Sequence, residues 1–429
     1  MITIREILLS ILLAGSVSAP VQAAGFPAFG RTGGREALTS EQTAPVGLIL
    51  AQRDAQAYGA AGWPARWQQR AELTASDGVA DDHLGGPVAL SGAAALVGAW
   101  GTHHGAGAAY VFVRHGSDWA EYARLTAGDG KPGDWFGVSV ALSENIALVG
   151  APLAGHTGAA YIFVRRGSRW TQQARLIAGD GKPGNWFGRT VALSGNTALV
   201  SAWYKNNDTG AAYVFVRHGS RWTQQAKLTA DDGIAEDYFG SAVALSGGTA
   251  LVGAAGKNGN TGAAYVFVRN ERAWTQQARL TIGEGKPGDT FGTSIALSGR
   301  TALVGAGFAN RNTGAAYVFV RDGSHWTRQG RLTASDGASG DWFGRTVALS
   351  GNTGLVGAWY KNNHAGAAYV FVRHGSRWTQ QAKLTVDDGV AQDYFGTAVA
   401  LSGGTGLVGA GFKNNAAGAA YVFSNLPAA

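Results

Sequence analysis

Asp81-Asp82-His83, His103-His104 and His156 are the side chains of this sequence best suited to acid–base or metal chemistry. Imidazoles and carboxylates can hold a zinc-type ion, so a metal-dependent hydrolase or lyase built on His103, His104 and Asp82 is the catalytic alternative they raise. Loop histidines are more often solvated surface residues, and no catalytic residue, metal or cofactor is assigned. A second set places aromatic rings beside amide and ammonium donors: Trp203-Tyr204-Lys205-Asn206-Asn207, its copy Trp359-Tyr360-Lys361-Asn362-Asn363, and Phe412-Lys413. Rings and donors of this kind suit stacking on a sugar face or anchoring a protein partner. Packing between elements is the competing reading, since aromatic rings are usually core. A third set is the Asp-Gly loops with a second polar residue, as in Asp180-Gly181 with Asn185 or Asp232-Gly233 with Asp237. Each offers too few ligands for calcium, and turn formation is favoured. No nucleophile motif or phosphate-binding loop stands out, and the absence of cysteine excludes disulfides and thiolate chemistry.

The elements that position these residues are repeats. Tryptophan recurs at positions 67, 119, 170, 222, 274, 326 and 378, in steps of 52, 51, 52, 52, 52 and 52 residues. A Gly-Ala-Ala-Tyr segment ends at Tyr110, Tyr161, Tyr213, Tyr265, Tyr317, Tyr369 and Tyr421. Phe-Gly pairs begin at Phe136, Phe187, Phe239, Phe291, Phe343 and Phe395, with Leu84-Gly85 in the first place. One unit reads as four strands: Arg189 to Leu193, Ala198 to Ala202, the doubly apolar Ala211 to Arg217, and Trp222 to Leu228. In the last of these, alternation places Trp222, Gln224, Ala226 and Leu228 on one face.

Four antiparallel strands per repeat, seven times over, predict an all-β, seven-bladed β-propeller. The array opens on a fourth-type strand, Trp67 to Leu73, and ends on a third-type strand, Ala419 to Phe423. The N-terminal strand is therefore expected to complete the last blade and leave no unpaired edge there. Residues 187–256 and 343–412 are nearly the same text, which reads as a block duplication of three repeats.

The unit resembles the FG-GAP repeats of integrin α-chain propellers and of exported bacterial repeat proteins. The residues that carry the resemblance are Phe-Gly at the first strand, Leu148 to Ala151 with Pro152 at the second, and Gly-Ala-Ala-Tyr-Val-Phe at the third. It covers residues 67–423 and implies a binding or adhesion module. The calcium loops common between the first two strands of integrin repeats are not carried over, because a tight turn such as Ser194-Gly195-Asn196-Thr197 lacks the carboxylates.

Residues 1–23 read as a secretory signal peptide, with Arg5, the apolar run Ile7 to Leu13 and Val21-Gln22-Ala23 at the cleavage point. Residues 24–66 read as a linker, in which Leu48 to Ala57 forms at most a turn or two of helix, and 67–429 as the propeller. No segment is long and apolar enough to span a bilayer. The expected product is a monomeric, secreted or periplasmic, non-catalytic module that recognises a glycan or protein through the loops between second and third strands. The formal charge of +7 and the hairpin arginines Arg114, Arg165, Arg217, Arg269, Arg321 and Arg373 suggest a seven-fold basic ring on the opposite face, open to a polyanion.

Overall fold

A strand that is apolar on both faces needs a sheet partner on each edge and a packed layer on each side. The third strand of each repeat is of this kind: in Ala211–His218 the first six residues are all buried. The computed structural model, which describes residues 65–427, satisfies the requirement with seven four-stranded antiparallel sheets. The strands of blades 1 to 6 span 88–125, 139–176, 191–228, 239–280, 294–332 and 346–384. Blade 7 takes its three inner strands from 398–427 and its outermost strand from Ala65–Leu73. The N-terminal strand thus closes the ring, beginning two residues earlier than the sequence pattern indicates. The signal peptide at 1–23 and residues 24–64 of the expected linker lie outside the described residues.

The innermost strands of successive blades touch all the way round, including Val88–Ser91 of blade 1 against Ala398–Ser402 of blade 7. Each blade is tied to the next by a parallel bridge between the glycine before Ala-Ala-Tyr and the next Phe, from Gly107 with Phe136 round to Leu84 with Gly418. That bridge requires glycine: at Gly210, φ is +86° and a Cβ would lie 2.0 Å from the Phe239 carbonyl oxygen.

A second closed circuit runs through the hairpins at the other end of the blades. The serine of each Leu-Ser turn accepts a hydrogen bond from the backbone N–H of the next blade's hairpin: Ser143 from Gly195 (3.1 Å), Ser194 from Gly247 (3.1 Å), and finally Ser402 from Gly92 (3.0 Å). All seven blades contribute.

The fourth strand departs from simple alternation. Ala226 pairs with Val214 but Gln224 pairs with Phe215, so Gln225 is the extra residue of a β-bulge. Trp222 and Gln224 therefore face one neighbouring blade while Ala226 and Leu228 face the other. Trp222 packs with Tyr213 and Phe215, and Leu228 with Ala212 and Val214. The bulged glutamine is used between blades: Trp274 Nε1 donates to Gln225 Oε1 (3.1 Å), as Trp222 does to Gln173 and Trp378 to Gln329. Where Tyr122 replaces that glutamine, the Trp170 Nε1 is left without an acceptor.

Candidate functional site

The loops joining second to third strands and those leading from one blade into the next lie on one face, stitched by backbone bonds. Trp135 N–H donates to the Gly105 carbonyl (2.8 Å), and Tyr238, Trp342 and Tyr394 do the same to Asp208, Asn312 and His364 (2.9 Å each). The loop after the second strand turns through consecutive left-handed residues, Asn206 (φ 51°), Asn207 (φ 57°) and Asp208 (φ 65°) in blade 3 and Asn362, Asn363 and His364 (53°, 54° and 71°) in blade 6. Asparagine tolerates this conformation better than most residues, so the paired amides shape the loop while remaining exposed.

The lysines of these loops turn inward. Lys205, Lys361 and Lys413 are buried, as is Lys257 in blade 4. The Lys257 ammonium lies 2.9 Å from Asp237 Oδ2 and also bonds the Asp232 carbonyl; Lys361 lies 2.8 Å from Asp341 and bonds the Asp336 carbonyl. Lys205 bonds the Asp180 carbonyl (2.7 Å) and Asn185 Oδ1 (3.3 Å), and Lys413 pairs with Asp388 (2.7 Å). The Asp-Gly loops are thus turns with an ammonium among their acceptors in these blades. Thr102, Ala154 and Ala309 occupy the corresponding positions of blades 1, 2 and 5.

The same aspartates anchor the core tyrosines. Tyr213 donates to Asp180 (2.6 Å), Tyr265 to Asp232 (2.7 Å) and Tyr369 to Asp336 (2.7 Å). Partial burial tends to raise the Asp180 carboxyl, but bonds from Lys227 and Tyr213 and the charges of Lys227 and Lys205 hold it well below the usual range. Asp232 and Asp336 are lowered in the same way. Burial, and then the carboxylate bond, push the Tyr213, Tyr265 and Tyr369 phenols up.

Above this layer the rings of the loop face form a horseshoe around the axis. From Tyr238 it runs through Trp203 and Tyr204 to Trp186, Trp135, Trp100 and His83, with successive centroids between 4.2 and 6.5 Å apart. It continues through Phe412, Tyr394, Tyr360 and Trp359 to Trp342 and Phe308, at 3.8 to 5.8 Å. It is open only between Tyr238 and Phe308, where Ala255, Gly256, Thr290 and Gly307 take the ring positions. Trp203 and Trp359 are each 7% exposed and so form the buried layer, whereas Tyr204, Tyr360, Phe412 and most other rings are half-buried and present an edge or face outward.

The horseshoe includes rings that sequence reading passed over: Trp135, Trp186, Tyr238, Trp342 and Tyr394, each in the left-handed conformation (φ 52° to 59°) just before Phe-Gly. The recurrence of an aromatic at that position was visible in the text, but its direction was not. The position just after Phe-Gly was also missed. It carries Arg189 and Arg345 in blades 3 and 6, half-buried beside the rings.

The histidines do not converge. His103 Nδ1 lies 3.0 Å from Arg124 Nη2, His104 is exposed, and Asp82 is buried with its carboxylate accepting the Val79 N–H (2.9 Å). No three imidazole or carboxylate groups come together as a metal site among the described residues. His83 instead takes a place in the horseshoe, stacked 4.2 Å from Trp100, and burial lowers its pKa despite its bond to the Gly411 carbonyl. On the opposite face the basic ring has six arginines, with Asn425 in the seventh place. Several of them close their own hairpins: Arg165 donates to Gly167 (3.0 Å), Arg321 to Gly323 (2.8 Å) and Arg373 to Gly375 (2.7 Å).

No helix among the described residues is long and apolar enough to cross a membrane. No curated protein matches the chain significantly. A family model described as the FG-GAP repeat matches residues 67–112, 119–163, 170–215, 222–267, 274–319, 326–371 and 378–423. Each matched segment starts on the fourth strand of one blade and ends on the third strand of the next, the same one-strand offset that closes the ring. With matches over most of its length and the propeller they imply, the chain belongs to the FG-GAP repeat family.

Proposed function

We propose that the protein is an exported, non-catalytic binding module that holds a glycan or protein partner against the aromatic rim of its loop face. The observation that carries this reading is the horseshoe of half-buried rings. Interlocked rings contribute a rigid, amphipathic surface that loses little conformational entropy when a ligand docks. The lysines of the loops between second and third strands are committed to internal carboxylates, so those loops present their rings and exposed amides to a ligand. Export rests on the N-terminal sequence alone, and N-terminal sequencing of secreted material beginning at Ala24 is the expected result.

The test is a glycan array together with a cell-surface pull-down, using the full chain and the Tyr204→Ala/Tyr360→Ala variant. Both tyrosines are half-buried, so the variant is expected to fold, and loss of binding with little change in Tm supports the reading. Blank results from the unaltered protein in both assays, or binding indifferent to the substitutions, contradict it.

A further inference from the structure

The residue after Phe-Gly points to what the rim recognises. It is Gly86, Val138, Arg189, Ser241, Thr293, Arg345 and Thr397 in blades 1 to 7, so only blades 3 and 6 place a charge there. Both residues lead into innermost strands at the loop-face end. Neither makes an ion pair among the described residues, whereas the buried loop lysines Lys205, Lys257, Lys361 and Lys413 all do. The Nε atoms of both are shielded from solvent and have no acceptor. The Nε1 atoms of Trp203 and Trp359, in side chains only 7% exposed, are unpartnered in the same way.

The surroundings are built around these arginines. The Arg189 guanidinium lies 5.3 Å from the Trp203 ring centroid and the Arg345 guanidinium 5.8 Å from that of Phe308. Arg345 Nη1 donates to Thr293 Oγ1 (2.7 Å). Gly307 leaves the space that Arg345 occupies, since a Cβ there would lie 3.2 Å from three of its carbon atoms. Burial, with the repulsion of Arg189, pushes Arg345 down to about 10, and burial lowers Arg189 as well. Two guanidiniums without counter-charge, set beside the rings at the loop-face end of the innermost strands, form a site that an oxyanion would complete.

We propose that the axial mouth of the loop face binds a sugar bearing a carboxylate, with Arg189 and Arg345 taking the carboxylate and the ring horseshoe stacking on the sugar. The inference rests on the reading of the loop face as a binding surface and names its ligand class. A planar carboxylate fits the guanidinium fork, and the C–H face of a pyranose fits an aromatic ring. Lys205, Lys257, Lys361 and Lys413 are neutralised internally, which leaves the exposed Lys131, Lys182, Lys286 and Arg311 as the further cations of this face, and the hairpin face is the more basic one. The opening between Tyr238 and Phe308, lined by Ala255, Gly256 and Gly307, gives an oligosaccharide room to leave the mouth.

The test is calorimetric and tryptophan-fluorescence titration of the full chain with a panel of uronic-acid oligosaccharides, their methyl esters, neutral and sulfated oligosaccharides, and an acidic peptide. A uronic-acid ligand is expected to bind, and esterification or the Arg189→Met/Arg345→Met variant to weaken it at least about tenfold, with Tm unchanged or raised. Arg189→Lys, which keeps the charge and loses the fork, is expected to give an intermediate affinity. Neutral sugars bound equally by the native and double-Met proteins would overturn the carboxylate site and leave the rim as a binding surface. Preference for the sulfated sugar or the peptide overturns the assigned class. No binding across the panel overturns the carboxylate-sugar site, and the array and pull-down then decide the wider reading.

Discussion

Lys257 shows how a single residue is decided by its surroundings. Its ammonium and the Asp237 carboxylate are both almost fully buried, with side-chain exposures of 5% and 3%. Removing one partner of such a pair leaves an uncompensated charge, at a cost of about 3–5 kcal/mol, whereas replacing both with apolar groups is often neutral. Lys257→Met is therefore expected to destabilise the protein by roughly that amount in chemical denaturation at pH 7. Adding Asp237→Leu should recover much of the loss. The pH dependence follows from the lowered carboxyls of Asp180, Asp232 and Asp336, which add stability above the ordinary carboxylate pKa of about 3.9. That contribution disappears as pH falls through their depressed folded values, and because Lys257 is among the groups that lower Asp232, the gap between native and Lys257→Met proteins should narrow on acidification. In sequence, Lys205, Lys361 and Lys413 stand beside tryptophan, tyrosine and phenylalanine in a polar loop and look available to a ligand. Their partners lie 20 to 25 residues earlier in the chain, and only the folded loop brings the two together.

Among the elements, the second and third strands were legible because continuous apolar runs and a fixed glycine leave few alternatives. Thr197–Ala202 and the first six residues of Ala211–His218 are buried throughout. The fourth strand was only half legible. Its Thr-Gln-Gln-Ala text gives no signal that the second glutamine is a bulge, because a bulge depends on the partner strand and the twist it must follow. The consequence is functional for the fold: one glutamine reaches its own blade's lead-in loop, as Gln224 does to the Gly179 N–H (2.9 Å), and the next reaches a tryptophan of the following blade. The glycine before Ala-Ala-Tyr is the least replaceable residue of the unit. At Gly210, both the positive φ and the 2.0 Å approach to Phe239 oppose any side chain. Gly210→Ala is expected to cost at least about 3 kcal/mol, read as a lowered denaturant midpoint, and a change below about 1 kcal/mol would mean that the bridge to Phe239 is dispensable.

For the whole molecule, the repeat and the blade are different units, and their one-strand offset makes the ring cooperative. Every matched family segment is shared by two blades, so no blade is complete without its neighbour. The circuit of serine bonds at one end and the Gly–Phe bridges at the other make that dependence circular. Seven-fold architecture and closure were readable from spacing alone. The ring horseshoe and the two axial arginines were not, because residues 52 apart in sequence become neighbours only when blades stack around an axis. The most direct test of this account compares two purified variants, one beginning at residue 65 and one at residue 75, which differ only in the strand that completes blade 7. The account predicts that the shorter chain loses at least about 10 °C in Tm and no longer unfolds in a single cooperative transition. Equal Tm values and equally cooperative unfolding would contradict a ring closed by the N-terminal strand.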